Sequence, residues 1–351
     1  MNFTKKMAMA AILTASAVPT FAATVLTFGE PGPNRGSRAQ ATKWFVQEVE
    51  KRSGGDLKIN VMWGGALFKA NGARQGISTG VADMGSIIPD YFPKEMVTYS
   101  LTNLPFDNQD PWVGLKATYD HMKSADVTRN LAKQNISFLT SYTVSDVVLV
   151  CKGDAVRSLD DIKDKKIRGI GVYGKVFGDL GANLVGMSVY KAYQGLDNGL
   201  LDCTQIYKST TPALKLHEVS TSLTQLNWGI YTALGIFINN DVKARLTSSQ
   251  QAVLDDVSVD FIDYFGKNVI KTDVAALKSL EAGIKGHKLE IISLSKADSA
   301  KLTEAGKPYI AKWEKNATKS GLKGVEMVEN YKALLAKYTK EVTDKGYPWS
   351  R

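Results

Sequence analysis

Apolar and polar positions alternate in short runs, separated by longer stretches with the period of a helix. The run Thr24-Val25-Leu26-Thr27-Phe28 reads as a strand, and a loop rich in glycine and proline leads from it to a segment in which Ala41, Trp44, Phe45, Val46 and Val49 share one helical face. Leu57-Lys58-Ile59-Asn60-Val61-Met62 alternates strictly and predicts a second strand, 71–78 a helix, and Val81-Ala82-Asp83-Met84-Gly85-Ser86 a third strand. The order strand, helix, strand, helix, strand implies a parallel or mixed sheet.

The pattern continues with a helix bearing Trp112, Leu115 and Met122, a strand from 136, and a strand over 145–150 that crosses between two domains. A short charged helix and a short strand then end on Arg168, before the glycine turn Gly169-Ile170-Gly171-Val172-Tyr173-Gly174. Another strand is predicted over 184–189, a short helix over 190–198, and a buried strand over 200–207 that ends in Gln205, Ile206 and Tyr207. Residues 226–231 and 233–238 are apolar runs, the second a long crossing strand, and helices are predicted over 248–280, 295–317 and 324–344. The last two are lysine-rich amphipathic faces and read as structural.

The chain opens with Lys5 and Lys6, an apolar stretch from 7 to 18 and small residues around Ala22, the pattern of a secretory signal peptide over 1–22. The product is expected in the periplasm, soluble, because no later apolar run reaches the roughly 18 residues that a spanning helix needs. The roughly 330 residues left exceed one core and suggest two domains. A formal charge of +9 becomes +7 once the two leader lysines are removed (9 − 2), and these charges are spread along the chain, which argues for an anionic solute over nucleic acid. Three histidines and two cysteines make a nitrogen and sulfur metal site hard to assemble, and no cofactor is expected. Export favours a Cys151–Cys203 disulfide over two buried free thiols; the 52-residue separation corresponds to about 4 kcal/mol.

Arg168 carries the candidate chemistry. It stands where a strand leaves the surface for a turn, and its planar fork matches a carboxylate or sulfonate in a way that lysine cannot. The alternative is a surface arginine on a solvated helix end. Arg35 and Arg38 fall near a helix start, where backbone N–H groups favour an anion. The end of the strand at Gln205, Ile206 and Tyr207 forms a second wall for a pocket, and Tyr91 and Tyr173 are further candidates beside it.

Two motifs mislead. Gly76-Ile77-Ser78-Thr79-Gly80 has the spacing of a nucleophile elbow, but its order is helix, turn, strand, and His121, His217 and His287 supply no triad. Gly169 to Gly174 has the spacing of a dinucleotide loop, but the strand after it ends in Tyr190-Lys191 instead of an acidic residue. What the glycine turn retains is the capacity to line the floor of an anion pocket with N–H donors.

The run Ser158-Leu159-Asp160-Asp161-Ile162-Lys163 with Lys166-Ile167-Arg168, then Leu180-Gly181-Ala182-Asn183-Leu184-Val185, then Tyr193 with Gly199-Leu200-Leu201-Asp202, resembles the periplasmic solute-binding proteins of TRAP transporters, in the dicarboxylate-receptor (DctP-like) family. The resemblance implies an α/β, two-lobed periplasmic binding protein of the type II kind, with hinge strands and a long bracing helix. It implies lobe 1 over 23–145 plus about 232–275, and lobe 2 over 146–231 plus about 276–351 with the C-terminal helices. It implies that Arg168 pairs with the carboxylate of a small organic acid, that the loaded receptor docks on a TRAP membrane permease driven by an ion gradient, and that the receptor catalyses nothing. Ile206 replaces the family's asparagine contact, and Trp228 stands where a small or polar ligand-facing residue is frequent. The expected ligand is a small anion with its head on Arg168 and a less polar remainder against Tyr207 and Trp228. A C4-dicarboxylate stays open if Arg35 takes a second head, as does a sulfonate. The competing reading is an exported enzyme on the same scaffold.

Overall fold

A computed structural model describes residues 22–351; the signal-peptide segment expected over 1–22 lies almost wholly outside the described residues. The alternating runs form the strands β1 (Thr24–Gly29), β2 (Leu57–Met62), β3 (Met84–Ile87), β4 (Ile136–Cys151), β5 (Lys166–Arg168), β6 (Asn183–Leu184), β7 (Cys203–Tyr207), β8 (Ser222–Asn239) and β9 (Glu290–Ser293). They make one mixed sheet in the order β2-β1-β3-β8-β4-β7-β5-β6, with β9 beside β8.

The two long strands belong to both ends of this sheet. β3 pairs with β8 from Met84↔Ile238 to Ile87↔Gly235, whereas β7 pairs with β4 from Val147↔Tyr207 to Cys151↔Cys203. The β4–β8 ladder loses its register at four points from Phe138 to Val148, most of them between those stretches. Two regular half-sheets therefore meet through an irregular double strand. Such a ladder bends more readily than either half, because each slip removes paired hydrogen bonds. This is the two-lobed α/β architecture.

The helix Ser248–Ala282 runs 35 residues, about 52 Å at the α-helical rise, and touches both halves. A Thr247–Gln250 capping box starts it, and Gln250 Nε2 reaches Thr24 Oγ1 at 3.0 Å and Asp56 Oδ2 at 2.9 Å beside the first half. Phe261 and Phe265 pack against Tyr142 in the middle, and Asp273 Oδ1 accepts from Ser209 N at 3.2 Å in the second half. No helix among the described residues is long and apolar enough to cross a membrane.

Three elements differ from expectation. The runs 226–231 and 233–238 are one strand, β8, with backbone irregularities at Asn227 (φ 51°) and Gly229 (φ 94°). A side chain at Gly229 would meet the carbonyls of Asn108 and Phe106 at 3.1 and 3.2 Å, so glycine is needed there for space as well as conformation. The strand expected over 184–189 shrinks to Asn183–Leu184, because it lies at the sheet edge and finds a partner only in β5. The C-terminal helices, expected in the second lobe, reach the first: Gly324–Lys345 packs on Pro111–Met122 of the first half through Tyr331 Oη on Thr118 Oγ1 (3.1 Å) and Tyr338 against Trp112. Helix Lys296–Lys319 bridges the halves, with Tyr309 Oη donating to Asp179 Oδ2 at 2.6 Å and Trp313 Nε1 to Val97 O at 3.1 Å.

Candidate functional site

β5 is held in place by local bonds before any ligand enters. Ser158 and Asp161 form a capping box on the turn Leu159–Ile162, while Leu159, Ile162 and Ile167 are buried beneath it. Asp202 accepts from Lys166 N through its side chain (2.7 Å) and donates through its own N–H to Lys166 O (2.9 Å), which fixes β5 beside β7. Cys203 then stands opposite Ile167, bonded to Cys151, and Arg168 stands opposite Thr204. The expected disulfide is present.

Arg168 is 2% exposed, so it is no solvated helix end. Nη1 donates to Gln205 O at 3.0 Å, Nη2 to Tyr91 Oη at 3.2 Å and Nε to Met187 O at 3.3 Å. All three acceptors are neutral, and among the described residues none forms an ion pair with it. A buried cation without a counter-ion is costly, and an anion offered to it is correspondingly stabilised.

A cavity of about 80 Å³ opens beside this guanidinium between the two half-sheets. Five of the candidate residues, Arg168, Tyr91, Ile206, Tyr207 and Arg35, line it. Gln205, Tyr173 and Trp228 stand behind the wall. Gln205 supports the site through its carbonyl on Arg168 and through its side-chain Oε1, which accepts from Ile170 N at 2.9 Å. Tyr173 is fully buried with its hydroxyl on Ile230 O at 3.3 Å, and Trp228 packs 4.5 Å from the Tyr173 ring and against Phe177. The irregular backbone at Asn227 and Gly229 explains the miss, since simple strand alternation no longer predicts which face Trp228 takes.

The aromatic wall is instead the stacked pair Tyr207 and Tyr231, 5.8 Å apart, with Tyr142 and Phe265 beyond them. Tyr142 and Tyr231 lie on the two crossing strands, and only the β4–β8 register shows that they face one cavity. The glycine turn is also corrected. Of Gly169 to Gly174 only Ile170 lines the cavity, and a Cβ on Gly174 would lie 2.6 Å from the Gly169 carbonyl carbon, so these glycines serve close packing of the turn on helix Gly171–Asp179.

Arg35 Nε donates to Ala213 O across the cleft. Arg38, read as a helix-start arginine, also reaches the cavity but is committed: its Nη2 lies 3.1 Å from Glu30 Oε1, and Glu30 in turn accepts from Gly32 N (2.6 Å) and Ser86 Oγ (2.7 Å). Tyr91, from the first half, accepts from Val189 N of the second half at 3.0 Å while touching Arg168. It joins the halves across the anion site. Tyr91→Phe is expected to change unfolding stability by about 1 kcal/mol and to weaken anion binding by roughly tenfold or less, measured by chemical denaturation and calorimetric titration.

The elbow-like serine does no comparable work, since Ser78 Oγ donates to Gln75 O at the end of its own helix. His121 Nε2 bonds Thr98 O at 2.9 Å, and burial lowers its pKa to about 4. Among the described residues no group of three or more His, Cys, Asp or Glu could hold a metal.

The sequence profile of bacterial extracellular solute-binding protein, family 7, matches residues 28–316. A solute-binding protein of Albidiferax ferrireducens is 23% identical over 296 residues, 82% of this chain and 80% of that one. A TRAP solute-binding protein from Rhodoferax ferrireducens, solved with copurified benzoate, superposes with TM-score 0.80 at 19% identity, over 91% of this chain and 99% of its own. One from Bordetella bronchiseptica with bound (R)- and (S)-mandelate gives 0.80 at 20% identity over 90% and 99%. A Bordetella pertussis receptor that binds pyroglutamic acid gives 0.79 at 22% identity over 88% and 100%.

Proposed function

Because the chain belongs to bacterial extracellular solute-binding protein family 7, the TRAP solute-binding proteins, we propose that it is an exported receptor for a small organic acid with a single anionic head and a ring or other apolar body. The head, a carboxylate or a sulfonate, sits on Arg168; the body lies against Ile206, Tyr207 and Tyr231. The observation that carries this reading is the buried Arg168 guanidinium, which has only neutral partners in a cavity otherwise walled by aromatic and aliphatic side chains.

A second carboxylate finds little to bind. Arg38 is neutralised by Glu30, and Arg35 is tied through Nε to Ala213 O, which disfavours a C4-dicarboxylate. The structural relatives holding benzoate, mandelate and pyroglutamate fit the same chemistry. We further take 1–22 as a removable signal peptide, the periplasm as the site of action, and the irregular part of β4 and β8 as the hinge between lobes over roughly 23–145 and 146–231. The loaded receptor then delivers its acid to a TRAP permease for uptake driven by an ion gradient. Family members and structural neighbours are solute-binding proteins, not enzymes.

A thermal-shift panel tests the ligand class. Benzoate, benzenesulfonate, mandelate and pyroglutamate stand on one side, succinate and malate on the other. At about 100 times its Kd, a true ligand stabilises the protein by about 2.7 kcal/mol. The proposal requires at least one cyclic monoacid to shift the transition while the dicarboxylates do not; a shift by dicarboxylates alone, or by no acid, overturns it.

A further inference from the structure

Asp90 lies on the turn Pro89–Tyr91, one residue before the tyrosine that joins the halves, and its partly buried carboxyl crosses to the second half. A Cβ on Gly171 would stand 2.6 Å from Asp90 Oδ2 and 3.5 Å from Tyr231 Oη, so the carboxyl and this phenol converge on the first turn of helix Gly171–Asp179. The charged groups facing it are Arg168 from β5 and Lys175 from that helix. The phenols of Tyr99, Tyr173 and Tyr207 complete its titratable surroundings. Among the described residues neither cation comes within ion-pair distance of it. Among the described residues its one hydrogen-bond donor is Asn103 Nδ2, at 3.3 Å.

That amide supplies a second observation. Asn103 Oδ1 is buried and has no hydrogen-bond partner among the described residues. A carboxylate can satisfy only the N–H side of an amide, whereas a neutral carboxylic acid accepts from the N–H and can donate its own O–H to the oxygen. The environment therefore suits the protonated acid. Burial pushes the Asp90 pKa up to about 7, against the opposing pull of Asn103, Lys175 and Arg168.

We infer that Asp90 is a proton-binding site coupled to the anion site, so that the lobes close on the organic anion together with one proton from solvent. The coupling rests on the reading of Arg168 as the anion's partner. Arg168 is one of the cations that favour the Asp90 carboxylate, and an anion seated on it cancels that charge. Anion and proton thus assist each other's binding, and the assistance is reciprocal. With the lobes apart, Asp90 returns to the ordinary carboxylate value of about 3.9. Its value is raised in the closed form, so affinity is greatest at low pH, falls as pH climbs between the open and closed values, and levels off above the closed one.

Calorimetric titration with benzoate, an anion throughout the range, between about pH 5.5 and about pH 8.5 should show wild-type affinity falling by roughly tenfold or more, with proton uptake near neutrality. The isosteric Asp90→Asn variant should bind at every pH about as well as wild type does at the acid end, without taking up a proton. A flat wild-type profile, or the same slope in the variant, overturns the inference. A second arm follows the carboxyl carbon resonance missing from Asp90→Asn: with saturating benzoate it should titrate well above the ordinary value, and a midpoint near about 4 in the bound protein overturns the inference. If benzoate binds at no pH, the benzoate reading of the pocket fails, and the acid that shifts the thermal transition replaces it in both arms, which then decide for or against Asp90.

Discussion

Arg168→Ala is expected to weaken acid binding by roughly two to three orders of magnitude or more without unfolding the protein. The guanidinium is 2% exposed and donates to the carbonyls of Gln205 and Met187 and the hydroxyl of Tyr91, none of them charged. Removing one partner of a buried ion pair costs about 3 to 5 kcal/mol, so affinity for a carboxylate should drop by roughly a hundredfold to several thousandfold. The protein without acid should melt at or above the wild-type temperature, because the variant no longer buries a cation that lacks a counter-ion. Arg168→Lys should fall between, since it keeps the charge and loses the planar fork. Calorimetry and thermal melts read both effects. An acid that binds wild type and Arg168→Ala equally would remove Arg168 from the site.

Cys203→Ser is the substitution expected to cost the most stability. Cys151 and Cys203 face each other on the last pair of the β4–β7 ladder, and their bond closes a 52-residue loop that contains β5 and the glycine helix. Opening that loop should cost about 4 kcal/mol, and lower the melting temperature by on the order of 5 to 10 °C. Reductant should produce the same loss in wild type and none in the variant. Acid affinity at low temperature should change little, because five backbone pairs between β4 and β7 and the Asp202–Lys166 bonds hold Arg168 in place without the sulfurs. Equal melting of wild type with and without reductant would refute the loop-closure account.

Parts of the site were legible because their causes are local. Arg168 ends a three-residue strand between a charged turn and a glycine turn, and that step from polar to apolar is visible without a fold. Tyr207 and Ile206 end a buried strand in the same way. Trp228 was misjudged because alternation assigns a face only while backbone dihedrals stay regular, and Asn227 and Gly229 break them. Asp90 resembles any acidic turn residue; what makes it unusual is Gly171, 81 positions away (171 − 90), pressing on its carboxyl. Tyr142 and Tyr231 carry no local signal of a site; they are buried packing residues that also wall a cavity.

The amino-acid sequence by itself determined the alternation of strands and helices, the long helix that starts at Ser248 and an arginine poised at a strand end, and it favoured a bond between the two cysteines that the structure then closed. The first three follow from periodicity, capping or composition within a short window, the cysteine pairing from the expected export of the chain. Only the tertiary structure decided that Arg168 has no ion-pair partner among the described residues, that Arg38 is spent on Glu30, that the last helix packs on the first half, and that Asp90 is covered from across the cleft. The physical reason is the same for all four. Periodicity reports that a face will be buried, but the identity of what buries it depends on contacts between residues far apart in the chain, and those contacts fix the charge and polarity around each group.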